Sequence, residues 1–200
     1  MKVERALVSV SDKAGLESLV DALSKLGAEI VASSGTAARI REMGYGNVKE
    51  VSEYTGHPES PGGLLKTLHP KVHGGLLLDR DDPEHRAYME RHGIRPFDLV
   101  VVNLYPFEAA AGRGAGLREA AENIDIGGPT MIRAAAKAAL LHDRVAVVVD
   151  PSQYGEVVEA LRESGGTLDP GLRRRLAEEA FKRTAEYDAA ICGYLEGREG

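Results

Sequence analysis

Two short runs, Leu99-Val100-Val101-Val102 and Val145-Ala146-Val147-Val148-Val149, are apolar at every position instead of every second one. Strand side chains alternate between faces, so such a run is covered on both sides, as at the centre of a parallel sheet packed between helices. That confines the chain to the α/β class, and the remaining pattern agrees. Arg5 to Val10 reads as a first strand. From Asp12 to Leu26, the residues Leu16, Leu19, Val20, Leu23 and Leu26 recur at helical spacing, with Gly27 as a stop. A second strand, Ala28 to Ala32, leads into Ser33-Ser34-Gly35-Thr36 and a short helix to about Met43. Asp150-Pro151 and Asp169-Pro170 each read as an N-cap followed by a first helical residue. The last helix lines up Leu172, Leu176, Ala180, Phe181, Thr184, Tyr187, Ile191 and Leu195. At roughly 1.5 Å per residue it spans about 38 Å, more than a compact sheet needs. Its far part is therefore expected to touch a second subunit or a further domain.

The 200 residues suffice for one well-buried domain, 1–200, and carry a formal net charge of −6. That charge argues against extended binding to DNA or RNA, so an anionic ligand is expected to be small and held by a local cluster of donors. Cys192 is the only cysteine, which excludes an internal disulfide and a paired-cysteine zinc site and leaves a small packing residue. Met1 to Val10 reads as a strand rather than a signal peptide, and the longest apolar run is too short to span a bilayer. A cytoplasmic protein with no membrane partner is expected. Gly112 to Gly116 is a surface loop by composition.

Ser9-Val10-Ser11-Asp12-Lys13 lies where the first strand turns toward a helix. In parallel sheets ligands bind beyond the carboxyl ends of the strands, where helix N-termini present free N–H groups. Two hydroxyls and an ammonium there suit a phosphate, although a capped helix with a solvated lysine uses the same residues. Ser33 to Thr36 repeats the arrangement after the second strand, so both segments open on one edge of the sheet. Gly62 to Gly75 packs Lys66, Thr67, His69, Lys71 and His73 between glycine pairs. His69 and His73 stand four apart, but Pro70 opposes a regular helix through both, so no metal is expected there and the histidines orient the loop by hydrogen bonding. Asn103-Leu104-Tyr105-Pro106-Phe107 follows the central strand and aims polar groups at the same crevice. Farther on, Asp125-Ile126-Gly127-Gly128-Pro129 opens a helix that places Arg133 and Lys137 four apart on one face. Their repulsion is a cost a purely structural helix has no reason to carry. Asp125 is expected to offset that charge and to pair with Lys137, a couple suited to proton transfer.

Four of these segments, in order, carry a family resemblance over essentially the whole chain: SVSDK at Ser9 to Lys13, KTLHPKVHGG at Lys66 to Gly75, NLYPF at Asn103 to Phe107, and IDIGG with RAAAK from Ile124 to Lys137. The sequence resembles the IMP cyclohydrolase domain of the bifunctional purine-biosynthesis proteins that also carry AICAR transformylase. The resemblance implies a methylglyoxal-synthase-like fold, a Rossmann-like three-layer α/β/α arrangement about a mostly parallel sheet. It implies that Lys66, Tyr105, Asp125 and Lys137 are catalytic. Ser9 and Lys13 after the first strand, and Ser33, Ser34, Gly35 and Thr36 after the second, are implied to bind the nucleotide. Thr67, Asn103 and the backbone of Ile126 and Gly127 join them. The implied reaction is dehydrative closure of 5-formamido-imidazole-4-carboxamide ribonucleotide (FAICAR) to IMP, without metal or organic cofactor. A homodimer, normally fused to the transformylase domain, is the implied assembly.

Three positions depart from the family pattern: Leu64 where arginine is usual, Ala138 where asparagine is usual, and Ser34 in place of glycine. Two other functions share the expected fold. Methylglyoxal synthase needs a phosphate cradle but relies on acidic residues in glycine-rich motifs that this chain lacks. A regulatory nucleotide-sensing module, like that of carbamoyl phosphate synthetase, has no need for Lys66, Asp125 and Lys137 together.

Overall fold

The computed structural model describes residues 2–105, 107 and 112–196, and Pro106 of the NLYPF segment lies outside them. Its sheet contains β1 (Arg5–Ser9), β2 (Glu29–Ala32), β3 (Val48–Glu50), β4 (Leu99–Val102) and β5 (Ala146–Val148) in the order β3-β2-β1-β4-β5, and every neighbouring pair is parallel. Among the described residues the α-helices are α1 (Leu16–Lys25), α2 (Ser34–Glu42), α3 (Val51–Thr55), α4 (Pro70–Leu77), α5 (Pro83–His92), α6 (Leu117–Glu122), α7 (Gly127–His142), α8 (Tyr154–Glu163) and α9 (Pro170–Glu196).

Strand alternation divides the interior in two. Ala6, Val8, Ile30, Leu99, Val101 and Val148 face a core completed by α1, α2 and α8, whereas Leu7, Val31, Val100, Val102 and Val147 face one completed by α4 and α7. The long helix α9 serves both: Leu172 and Leu176 enter the first core, and Ala177, Ala180 and Tyr187 the second. The three-layer α/β/α fold is thus present, with a sheet that is parallel throughout.

Local chemistry accounts for the departures from the sequence reading. Helix α1 begins at Leu16 rather than Asp12, because Asp12 accepts the Ala14 N–H in a turn and Gly15 takes a left-handed conformation (φ 68°) ahead of the helix. Strand β3 carries one buried residue in three, too few to show a period. Cys192 is exposed rather than packed, since it falls on the outer side of α9. Among the described residues, no helix is long and apolar enough to cross a membrane.

The order of strands reverses between β1 and β4: β1 continues to β2 and β3 on one side, β4 to β5 on the other. Such a switch point opens a crevice at the carboxyl ends of the two strands. Ser9 pairs with Val102, so both strands end at the same level and their following loops lie side by side.

Candidate active site at the switch point

Val8 is in register with Ala32, so Ser9 and Ser33 leave the sheet as neighbours. A chain of hydroxyls joins them. Ser9 Oγ donates to Ser33 Oγ (3.1 Å), and Ser33 Oγ donates to Thr36 Oγ1 (3.1 Å). Thr36 Oγ1 donates to the Val10 carbonyl (3.3 Å) and accepts the Val10 N–H (3.2 Å). Thr36 is buried, and its hydroxyl ties the two loops together rather than meeting a ligand. Because the Ser33 hydroxyl is engaged there, no side chain caps α2, and the Ser34 and Gly35 N–H groups have no partner among the described residues. A helix N-terminus with free amides is suited to an anion. Ser34 Oγ itself donates to the Glu59 carboxylate, and Lys13 Nζ folds back to within 3.4 Å of the Ser11 carbonyl.

Asn103 fastens this wall to β4. Its Oδ1 accepts the N–H groups of Ser11 (2.6 Å) and Asp12 (3.0 Å), and its Nδ2 donates to the Asp12 carbonyl (2.7 Å). Most of its hydrogen-bonding capacity is spent on shaping the β1 loop.

The opposite wall is the turn that opens α7. Asp125 Oδ1 accepts the Gly128 N–H (2.8 Å), Pro129 has no N–H to give, and the Gly127 N–H is left without a partner among the described residues. The glycine doublet is required by close approach. A Cβ on Gly127 would strike Thr67 Oγ1, and one on Gly128 would lie 2.5 Å from Asp125 Oδ2 and 2.7 Å from a Leu104 methyl. The buried Thr67 therefore seats the Lys66 loop directly on the start of α7. Lys66 in turn folds over Gly63, where a Cβ would sit 3.6 Å from the ammonium.

Between the walls lies a cavity of about 320 Å³. Ser9 and Ser33 line one side; Lys66, Tyr105, Asp125 and Gly127 line the other. Its size falls within the roughly 300–1,000 Å³ usual for small-molecule sites. Thr67, Asn103 and Ile126 also reach it, while Lys13, Ser34, Gly35 and Thr36 are not among the residues that line it. Leu64, 75% exposed, is at the mouth. Ala138 is buried in the core under α7, so that departure from the family pattern does not face the cavity. A groove of about 510 Å³ lies between α8 and α9, where Arg175 pairs with Glu156, and none of the expected catalytic or nucleotide-binding residues lines it.

Lys137 is elsewhere. It sits on the exposed face of α7, ten residues beyond Gly127, which is about 15 Å along the axis. The expected Asp125–Lys137 pair does not form in the protomer: the Asp125 carboxylate turns back to Gly128. Arg133 also has a structural partner that the sequence did not reveal, since its guanidinium lies 5.6 Å from the centre of the Phe181 ring.

The histidines act within the loop. His69 caps α4, its Nδ1 accepting the Lys71 N–H (3.0 Å), while the half-buried His73 leaves its Nε2 without a hydrogen-bond partner among the described residues. Burial depresses the pKa of both below the ordinary histidine value; His57 and Lys71 add to the effect at His69, and the Thr67 backbone opposes it at His73. Among the described residues no group of three or more His, Cys, Asp or Glu is placed to hold a metal.

Tyr187 was missed. It was read as one member of an apolar stripe, yet its hydroxyl accepts the Asp125 N–H (2.8 Å). The available signal was a tyrosine among aliphatic residues, whose hydroxyl needs a partner when buried.

The chain matches the MGS-like domain family over residues 15–130 and the AICARFT/IMPCHase bienzyme family over residues 135–200. The bifunctional purine biosynthesis protein PurH of Magnetococcus marinus is 51% identical over 100% of this chain and 38% of its own length. That of Bradyrhizobium diazoefficiens is 54% identical over 97% of this chain and 36% of its own. The chain thus spans a little over a third of the length of these curated relatives. The crystal structure of ForH superposes with a TM-score of 0.81 at 33% identity, covering 96% of this chain and 99% of that one. A match across more than half of the residues, on the same parallel sheet and switch-point crevice, establishes that the chain belongs to the MGS-like domain family, continued by sequence of the AICARFT/IMPCHase bienzyme type.

Proposed function

We propose that this chain is a cytoplasmic IMP cyclohydrolase that closes FAICAR to IMP with loss of water. The observation that carries this reading is one cavity with the Ser9 and Ser33 hydroxyls on one wall and Lys66, Tyr105, Asp125 and the free Gly127 amide on the other. The relatives named PurH support the choice of substrate.

In this reading the 5′-phosphate lies toward the Ser9–Ser33 wall and the open end of α2. The carboxamide nitrogen attacks the formyl carbon, a C–N bond forms, and the formyl oxygen departs as water with one proton from that nitrogen and one from the formamido nitrogen. An amide is a weak nucleophile, so holding it against the formyl carbon supplies much of the rate. Negative charge grows on the formyl oxygen, within the compass of the Lys66 ammonium, the Tyr105 hydroxyl and the Gly127 N–H. Asp125 accepts the nitrogen's proton. Absorbance at the purine band with this chain alone tests the proposal, with IMP formation expected. Binding of IMP without any conversion of FAICAR, or methylglyoxal from dihydroxyacetone phosphate, would replace it.

A catalytic role for Lys137 requires a second copy. Lys137 shares the exposed face of α7 with Leu140 and Leu141, which are 58% and 61% exposed, and it cannot reach its own cavity from there. In the proposed homodimer this face delivers Lys137 to the partner's cavity. Mixing inactive Asp125→Asn with inactive Lys137→Ala should then restore activity, because one site of the mixed dimer is intact. Mixtures as inactive as their components would remove Lys137 from the site.

A further inference from the structure

Helix α9 runs 27 residues, and its last turns hold the two segments that present Tyr105 and Asp125. Tyr187 is 1% exposed. Its hydroxyl accepts the Asp125 N–H at 2.8 Å and donates to the Asn123 carbonyl at 3.4 Å, across sequence separations of 62 and 64 residues. The rings of Tyr187 and Tyr194 meet Phe107 edge-on, at 6.2 and 5.6 Å between centroids. Tyr194 then donates to the Ala115 carbonyl at 2.6 Å. Phe107 is buried two residues beyond Tyr105. One helix therefore grips both flanks of the cavity, and it does so from the bienzyme-type portion of the chain, onto residues of the MGS-like portion.

We propose that Tyr187 is a positioning residue for the cyclisation, holding the Asn123–Gly128 turn so that the Asp125 carboxylate and the Gly127 amide face the substrate together. The inference rests on the cyclohydrolase reading. Its physical basis is that the turn's other hydrogen bonds within the described structure are local, to α6 and within the first turn of α7, whereas the Tyr187 hydroxyl ties it to a distant helix. Among the described residues the Asp125 N–H has this one partner, and the Asp125 side chain is bonded only within the turn, to Gly128. The ring of Tyr187 fills the core, whereas its hydroxyl makes both bonds to the turn. Removing the hydroxyl alone frees the turn while the packing stays. A reacting group displaced by an ångström loses rate steeply, while phosphate binding at the far wall is untouched.

Tyr187→Phe separates these roles. In this variant kcat for FAICAR should fall about 10-fold, KM and the IMP Kd should stay within about twofold, and exchange of the Asp125 amide with solvent should accelerate about 10-fold. Leu172→Ala, on the same helix but in the other core, provides the comparison: it destabilises the protein, yet its folded fraction should keep the kcat of the unaltered chain. Tyr187→Phe with unchanged kcat and unchanged Asp125 exchange overturns the proposal. So does an equal loss of kcat in Leu172→Ala, which would make the effect one of general stability. If the unaltered chain never converts FAICAR, the cyclohydrolase reading fails by itself. Asp125 exchange in Tyr187→Phe then decides whether the hydroxyl holds the turn.

Discussion

The two walls of the cavity are built on different principles. The β1–β2 wall is held by neighbours: Ser9, Ser33, Thr36 and Val10 bond to one another across adjacent strand ends, and Asn103 secures the same loop from the next strand. The α7 wall is held from a distance, by the Tyr187 hydroxyl and by the contact of Thr67 on Gly127. In the proposed reading the first wall meets a feature that any phosphorylated ligand has, and it comes with the sheet. The second carries the groups assigned to this one reaction, and its shape depends on parts of the chain that meet only when the whole domain has folded. Damage to the two should therefore look different: lost affinity on one side, lost turnover on the other.

The sharpest test of that contrast is Asp125→Asn. Asparagine keeps an acceptor for the Gly128 N–H, so the turn survives while the charge is lost, and turnover should fall by about 100-fold or more with IMP affinity nearly unchanged. Steady-state kinetics beside calorimetry reads both, and unimpaired turnover would mean that the α7 wall has been given the wrong chemistry. Gly128→Ala should come next. Its Cβ is forced against Asp125 Oδ2 and Leu104, and overpacking of this kind costs about 1–3 kcal/mol, measurable by denaturant unfolding, with a loss of kcat in the folded protein.

Thr36→Val attacks the other wall. It removes the hydroxyl that closes the chain and leaves the buried Val10 N–H unpaired, at about 1–3 kcal/mol. IMP affinity should weaken while kcat at saturation holds. If kcat falls and affinity does not, the two walls are coupled and the contrast is false.

The smallest effect concerns pH. Burial holds His73 below its ordinary pKa, so the unfolded chain binds a proton there at a higher pH than the folded one. Stability is therefore full above the unfolded value and declines as pH falls below about 6.5 toward the depressed folded value. Thermal unfolding between pH 7.5 and 5.5 should show a decline that His73→Gln reduces, and identical profiles would assign the acid sensitivity to other groups.

Legibility in the sequence followed the range of the interactions. Leu99–Val102 revealed a buried parallel strand because covering both faces leaves no polar position, and β3, with one buried residue, revealed nothing. Ser9, Ser33 and Asn103 were readable as strand-end groups, since a parallel sheet brings strand ends to one edge. The role of Thr36 was not, because its bonds run to Val10 on another strand. Lys137 illustrates the opposite error. Its spacing from Arg133 was read as strain in need of Asp125, but Arg133 packs over Phe181 and Asp125 turns to Gly128.

By itself, then, the order of residues determined the layers, the parallel strands and the kinds of group gathered at one edge, because periodicity and turn chemistry act over a few residues. Tertiary structure decided which of those groups share a cavity, which hydroxyls are already spent, and that Tyr187 reaches across 62 residues to the turn bearing Asp125. Contacts of that length leave no periodic trace, since they depend on where packed helices come to rest rather than on local spacing.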